Sequence, residues 1–510
     1  MRAALVVGAG MAGLLAARVL VEHAEEVVLV ERDELPDQPV VRGGAPQGAH
    51  SHILLGRGRE IIGRLFPELF DRLISRGAVP LDFERDGAWF ADGLRRVPVP
   101  GDDMLSMTRP LLERELRREV MELTRVRLVR GRVTGLSLSG DRVDGAWVVP
   151  GSAETVPGGG RHGHGRDGRG EGGERAAGRG DSGTVAERIA ADLVVDASGR
   201  SSRLVTWLAE HGYPEPPKRR VPVDIGYATC FFHRPPGQRL DGFTAAHSVR
   251  TARAGVPGAS SLNPVEGDRW MALVTGYRDN RPRRDFGDFT RRCLREPGPL
   301  RALVRECEPA GGVAVYRFPS SMRRDFHRLA RFPSGLAVLG DAVASFNPVY
   351  GQGMTCGALH AEALDAWLRA AGRGGGAPDP ARYLARLGRA VDDAWEMSAE
   401  QDLLLPHLRR DPSRTQRLRL RLRDRLLDGA ITDVTVHRCF LDVVNMRSRP
   451  RRLMSPTVLF RALRAPRRTP VLPDEPPPPA GRPPSAEPPP PTGPRETIGP
   501  TETAAPTEPP

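Results

Sequence analysis

Short unbroken apolar runs, separated by segments of helical spacing, set the pattern of the amino-terminal region. Ala3–Val7 is apolar throughout and ends at a glycine, Met11–His23 places apolar residues at helical intervals, and Val27–Val30 is a second run closing on Glu31. Runs this short and apolar on both faces predict strands buried in a parallel sheet. Strand, glycine turn, helix and strand together make one βαβ unit. Residues near Leu54 to Arg76 read as helical, and Arg85 to Pro98 as short strands with turns. Arg109–Leu123 is a strong helix, with Leu111, Leu112, Leu116 and Val120 on one face and Thr108 as its cap. Val126–Val149 reads as strands joined by a Ser-Gly-Asp turn, and Ala191–Asp196 and Leu336–Leu339 as further buried strands. From Val221 to Phe318 the texture changes to strands with long loops, namely Asp224–Phe232, Trp270–Tyr277 and Val313–Phe318, which predicts a separate sheet domain. Gly351–Ala370 is helical, and arginine-rich helical sequence continues to about Arg464.

Two stretches carry no such pattern. Gly151–Gly183 is almost wholly Gly, Arg, Glu and small residues, and the chain from about Arg468 to Pro510 is dominated by Pro, Glu and Thr. Neither can build a core, so both are expected to be disordered. His162 and His164 form a His-Gly-His in the first of them with no carboxylate or cysteine arranged around it, and no metal site is assigned.

Composition narrows the function classes. The net charge of +12 is carried almost entirely by arginine, because Lys218 is the only lysine among 510 residues. The arginines are scattered from Arg2 to Arg495 without aromatic interleaving or a nucleic-acid motif, so no nucleic-acid partner is expected. Five cysteines, widely spaced and never in a C-x-x-C pair, point to a reducing compartment, and the expected location is the cytoplasm. The first apolar run is too short for a signal peptide, and no run approaches the roughly 20 residues of a membrane span. The basic segment Arg414–Arg464 leaves two readings open: a peripheral contact with a membrane surface, or a solvated helical face packed on the protein.

Gly8-x-Gly10-x-x-Gly13 lies between strand and helix, and Glu31 ends the next strand. The first glycine permits a tight turn, the second lets backbone amides approach a pyrophosphate, and the third allows close helix–strand packing. An acid at the position of Glu31 accepts hydrogen bonds from an adenosine ribose. Gly340-Asp341 closes the Leu336–Leu339 run, and Asn347-Pro348-Val349-Tyr350-Gly351-Gln352-Gly353-Met354 opens a helix. An aspartate at a strand end can hold ribityl hydroxyls, and a glycine-rich helix start places amides against a flavin's pyrimidine edge. Together these features specify FAD rather than NAD. The third element, Asp192–Arg203, is again a buried strand running into a polar turn and a helix.

The three motifs in this order resemble the class A flavoprotein monooxygenase superfamily, which has the fold of para-hydroxybenzoate hydroxylase. The resemblance runs from Met1 to about Leu368, with the Gly151–Gly183 insert foreign to it. It implies an α/β chain: a Rossmann-type FAD-binding domain, an inserted mixed or antiparallel substrate sheet and C-terminal helices. The expected division assigns residues 1–80, 106–210 and 331–370 to the FAD domain. Residues 81–105 and 211–330 go to the substrate sheet, 371–465 to the helical region and 466–510 to the tail. By the same resemblance Gly8, Gly10, Gly13, Glu31, Arg32, Arg42, Arg109, Asp196, Gly340, Asp341, Pro348, Gly351, Gly353 and Met354 form the cofactor-binding set. Asp196, Gly199 and Arg203 match the family's Asp-Gly motif with Ala197-Ser198 intervening, a departure from the usual adjacent pair. Gly44–His52 and Asn347–Met354 are similar to a narrower bacterial branch related to squalene epoxidase and to polyether epoxidases of the monensin and lasalocid type.

The implied activity is insertion of one oxygen atom from O2, by epoxidation or hydroxylation through a C4a-hydroperoxyflavin, into a hydrophobic polyketide or polyene. A single glycine fingerprint implies electrons from transient NAD(P)H or from a partner flavin reductase. Tyr227, Phe231, Phe232, Trp270 and Phe346 are the expected pocket walls. His50 and His52 either face the flavin ring or cap the turn after Gln47-Gly48, and no catalytic residue is assigned. An oxygen-independent reductase of the geranylgeranyl-reductase type is the alternative, and a non-enzymatic flavin-binding docking protein is a third reading. Flavin-dependent halogenases share the fold but use a lysine soon after the fingerprint, which this chain lacks.

Overall fold

The computed structural model describes residues 1–101, 103–151, 185–374, 378–409, 411 and 413–471. The readings of the glycine-rich insert beyond Gly151, with His162 and His164, and of the tail beyond Val471 lie outside those residues.

Apolar strands flank the first glycine turn because their side chains are buried on both faces. Leu336–Val338, Leu193–Asp196, Ala3–Val7, Glu26–Glu31, Val126–Ser139, Arg142–Pro150 and Glu187–Ala190 lie side by side, in that order, in a seven-stranded sheet. The first five pair in parallel, and the last two extend the sheet antiparallel. Val7 stands opposite both Val30 and Asp196, and Asp196 opposite Val338. The carboxyl ends of four strands are therefore level, which is where open α/β sheets bind ligands. The helix Met11–Leu20 buries Leu14, Leu15, Ala16, Ala17, Val19 and Leu20 against this sheet. Each large apolar side chain so buried contributes about 1.5–3 kcal/mol.

The second sheet also has seven strands: Ala314–Phe318, Ile225–His233, Arg269–Tyr277, Gly258–Val265, Ala245–Arg250, Gly87–Ala91 and Leu94–Arg95. It is mixed, since Ala245–Arg250 runs parallel to Gly87–Ala91 while its other pairs are antiparallel. Strand alternation decides what each face does. Ala228, Cys230, Phe232, Leu262, Trp270, Ala272 and Val274 pack beneath Phe289, Cys293, Leu300 and Leu303 of the helices Phe286–Leu294 and Pro299–Glu306. Phe232 and Trp270, expected as pocket walls, are instead fully buried on this far face. Phe346 likewise sits in the first core, its ring 6.2 Å from that of Trp395. The opposite face carries Tyr227, which joins the first core, and Thr229, which meets His50.

Helices Pro380–Asp402, Arg414–Thr432, Val434–Val444 and Pro456–Arg464 complete the chain. They are fastened at several points to earlier segments. Gly56 N–H donates to Asn445 Oδ1 at 2.8 Å, Val97 N–H to the Ile431 carbonyl at 2.9 Å, and Arg253 pairs with Asp428 at 3.0 Å. Among the described residues, no helix is long and apolar enough to cross a membrane.

Candidate functional site

The glycine turn at the carboxyl edge is built by contact. Gly8 adopts a φ of +98°, and a Cβ on Gly13 would lie 1.8 Å from the Gly8 carbonyl oxygen. Only glycine fits either position. Gly10 caps the following helix without a side chain of its own, leaving the first-turn N–H groups facing the cleft at the positive end of the helix dipole.

Glu31 accepts hydrogen bonds from the N–H groups of Ala9 (2.7 Å), Arg32 (2.8 Å) and Asp33 (3.0 Å), which locks the strand end onto the turn. Arg42 reaches across to Glu31 at 3.3 Å, Asp33 at 3.5 Å and Glu113 at 3.4 Å. Arg109, at the start of its helix, donates to Glu113 at 2.8 Å and to Nε2 of His52 at 3.1 Å. Burial alone would push the Glu113 carboxyl up, but Arg109 and Arg42 outweigh it and hold it below the ordinary range. Arg32 extends outward, mostly exposed.

His52 is the link that the sequence left undecided. Its Nδ1–H donates to the His50 carbonyl at 2.8 Å, so Nε2 is the acceptor for Arg109. Burial first, then the Arg109 charge, pushes its pKa down to about 3. His50 is buried with Nδ1 2.9 Å from Thr229 Oγ1, and burial takes its pKa to about 4. Its ring packs 5.2 Å from Tyr227, which stacks on Tyr316 at 5.7 Å. Both imidazoles are neutral at pH 7: His52 orients Arg109, and His50 fastens the loop to the second sheet.

Asp196, expected in the cofactor-binding set, is tied to the turn that follows its strand. Its carboxylate is buried and accepts from Ser198 N–H at 3.0 Å and from the hydroxyls of Ser198 and Ser202, both at 2.5 Å. It shapes the turn after the strand, as Glu31 holds the first glycine turn. Arg200, which sequence reasoning passed over, leaves that turn and donates to Ser345 Oγ at 2.9 Å and the Ser320 carbonyl at 2.7 Å.

Gly340 and Asp341 follow the strand Leu336–Val338, and the Gly340 N–H donates to Nδ1 of His360 at 2.9 Å. The Asp341 carboxyl is half-buried; burial raises its pKa, while Arg109 and Arg200 pull it back. Pro348 opens a short turn, exposed, and Gly351 in left-handed geometry leads into the helix Gln352–Gly374. Met354 is buried at its start. A Cβ on Gly353 would meet nothing nearer than Asp341 Oδ1 at 4.0 Å, and one on Gly10 nothing nearer than the Arg42 guanidinium at 3.6 Å. The two glycines thus border open cleft, one at each helix start, with Arg109 and Asp341 between. That cradle fits FAD: amides for the pyrophosphate, Glu31 for a ribose, Asp341 for ribityl hydroxyls, and a helix start for the pyrimidine edge.

Asp402, far along the chain, holds the Asn347–Tyr350 turn. It accepts from Asn347 Nδ2 at 2.7 Å, Tyr350 Oη at 3.0 Å and Ser321 Oγ at 3.3 Å. Burial pushes its pKa from the ordinary 3.8 up to about 6, against the pull of those three donors. The folded protein therefore binds this proton more tightly than the unfolded chain, so the contribution is full below pH 3.8 and is lost as pH rises to about 6. Asp402→Asn is expected to flatten that part of the stability profile: its melting temperature should fall less than wild type's between pH 4 and 6. Equal slopes would contradict the assignment.

Beside the cradle lies a cavity of about 870 Å³. Its lining runs from His52, Val349 and Tyr350 through Trp89, Asn263 and Met271 of the second sheet to Leu420, Leu426 and Phe440 of the C-terminal helices. Leu420, Leu422 and Leu426 of the arginine–leucine run thus wall the cavity, while Leu418 points to solvent. Of the aromatics expected there, none of Tyr227, Phe231, Phe232, Trp270 and Phe346 lines it.

No protein-family model matches the chain. Protein Rv3254 of Mycobacterium tuberculosis is 34% identical over 454 residues, spanning 86% of this chain and 88% of that protein. Among solved structures, the flavin-dependent brominase Bmp2 superposes with a TM-score of 0.58 at 13% identity, covering 90% of this chain and 97% of that one. The p-nitrophenol 4-monooxygenase PnpA from Pseudomonas putida DLL-E4 gives 0.56 at 16% identity, covering 87% and 99%. The chain belongs to the family of Protein Rv3254, and its fold is that of the class A flavoprotein monooxygenases and flavin-dependent halogenases.

Proposed function

We propose that this protein is an FAD-dependent monooxygenase that inserts one oxygen atom from O2, by epoxidation or hydroxylation, into a hydrophobic polyketide or polyene. The observation that carries the reading is the large, mostly apolar cavity bordered by His52, Val349 and Tyr350 at the cofactor cradle. Reduced FAD, when bound, would supply the electrons that activate O2, and O2 the oxygen atom that is transferred.

The chain's own residues bind, orient and exclude water. The turn Gly8–Gly13 and its helix start hold the pyrophosphate, with Arg109 aimed by Glu113 and His52. Glu31 and Asp341 hold the hydroxyls at the two ends, and the start of the helix Gln352–Gly374 stabilises negative charge on the pyrimidine edge. The cavity's leucine, methionine and aromatic walls keep water from the reacting atoms. Addition of oxygen to an alkene needs no protein base, which agrees with a cavity whose nearest histidine, His52, is already committed to Arg109.

Lys218, the only lysine, is exposed on the strand Lys218–Val221 and does not line the cavity, which favours oxygenation over halogenation. NAD(P)H or a flavin reductase supplies the electrons, and the enzyme works in the cytoplasm. Exposed Leu418, Phe460 and Leu463 among the C-terminal arginines support peripheral contact with a membrane surface. The reading is tested by oxygen uptake of FAD-loaded protein supplied with NADH or NADPH, over a panel of polyenes and polyketides. At least one member should stimulate uptake tenfold or more; two-hydrogen reduction of the same compounds without oxygen would favour the reductase alternative.

A further inference from the structure

Of the charged residues that line the cavity, only Arg96 is buried, and the proposed oxygenation does not use it. Arg96 follows the edge strand Leu94–Arg95, lines the cavity and is only 8% exposed. Its guanidinium lies 4.3 Å over the ring of Phe440, another lining residue. Among the described residues, no carboxylate comes within 4.0 Å of it, and its buried Nε has no hydrogen-bond partner. Arg323, the other arginine buried to this degree among the described residues, pairs with Asp325 and Asp392.

The groups around Arg96 do not neutralise it. Asp92 lowers its cost at a distance, but the Asp92 carboxylate is taken by the Thr251 N–H at 2.6 Å and hydroxyl at 3.0 Å. His437 donates from Nδ1 to the Val97 carbonyl at 2.6 Å, and burial, with the Arg96 charge behind it, holds its pKa at about 4. It brings no negative charge. Burial pushes the Arg96 pKa down to about 10, which leaves the guanidinium charged at neutral pH. An unpaired buried cation is costly, and a ligand anion removes that cost by supplying a bidentate partner in a dry site. The other charged lining residues, among them Arg59, Glu396, Glu400, Arg423 and Arg447, are half-buried or exposed, while Phe70, Met104, Met271 and Leu404 offer apolar contact for the rest of the ligand.

We propose that the cavity takes a lipophilic carboxylate, its carboxylate paired with Arg96 and its hydrocarbon chain filling the apolar space that reaches Val349 and Tyr350. This rests on the oxygenase reading only in taking that cavity for the substrate's. Arg96 is then a specificity-determining residue, selecting free acids over esters and neutral hydrocarbons.

The experiment compares oleate with methyl oleate by calorimetric titration into FAD-loaded protein. Wild type should bind oleate at least tenfold more tightly. Arg96→Met should lose that preference while binding methyl oleate within twofold of wild type, and Arg96→Lys should keep part of it. Equal binding of acid and ester by wild type, or a preference unchanged in Arg96→Met, would overturn the proposal. If Arg96→Met does not fold, the wild-type comparison and Arg96→Lys decide the matter. Because the readout is binding, it separates the two claims. Oxygenation of a neutral polyene at equal rates in wild type and Arg96→Lys, with no acid preference in binding, would remove this inference and leave the oxygenase. Selective oleate binding without any oxygen uptake would do the reverse.

Discussion

Gly13→Ala should yield a protein that no longer retains FAD. The added methyl would sit 1.8 Å from the Gly8 carbonyl oxygen, far inside contact distance, with the Gly8 carbonyl carbon at 2.9 Å. Both are backbone, so no side chain can swing aside. The helix Met11–Leu20 would have to lift from the strand Ala3–Val7, carrying away the amides that face the pyrophosphate and loosening Leu14 and Leu15 in the core. Overpacking of this kind costs about 1–3 kcal/mol in stability. The loss in FAD affinity should exceed a hundredfold, because the turn that makes the site is the part displaced. Equilibrium dialysis against FAD and a thermal melt measure the two effects. Retention of FAD within threefold of wild type would contradict the role given to this turn.

Gly353→Val tests the other end of the cradle by a different route. Its side chain would enter open space, since a Cβ there meets nothing closer than 4.0 Å. The FAD-free protein should therefore fold with a melting temperature within about 3 °C of wild type, an energy change below about 1 kcal/mol. The isopropyl group would nevertheless occupy the approach to the helix start, and FAD affinity should fall at least a hundredfold. A fold kept intact while the cofactor is lost distinguishes a filled binding cleft from a damaged structure. Normal FAD binding by this variant would mean that the flavin ring lies elsewhere.

The parts legible from the sequence are those encoded by neighbours in the chain. The run Ala3–Val7, the glycines after it and Glu31 at the next strand end are local signals, and the structure brings them together at one sheet edge. The parts that were not legible depend on pairing between distant segments. Which face Phe232 and Trp270 take follows from the register of Ile225–His233 against Arg269–Tyr277, where Phe232 stands opposite Trp270, and from the helices that cover that face. A one-residue shift would have turned both to the opposite face of the sheet. Asp402 meets Asn347 across 55 residues, and His52 meets Arg109 across 57. The aspartate of a strand end can equally bind a ligand or cap its own turn, and Asp196 does the second. The arginine–leucine alternation Leu418–Arg423 has the period of a strand, yet it lies in the helix Arg414–Thr432; its leucines make sense only once the cavity beneath them is known.

The central claim is that oxygen from O2 is placed into a molecule held in the cavity beside the cradle. The most direct measurement supplies FAD-loaded protein with NADPH or NADH under 18O2, together with the polyenes, polyketides and free acids that stimulate oxygen uptake, and determines product masses. One 18O atom per product, with none from labelled water, is the result expected. Products that carry two added hydrogens and form equally well without oxygen would contradict the account, as would complete diversion of the electrons to hydrogen peroxide with every compound that binds.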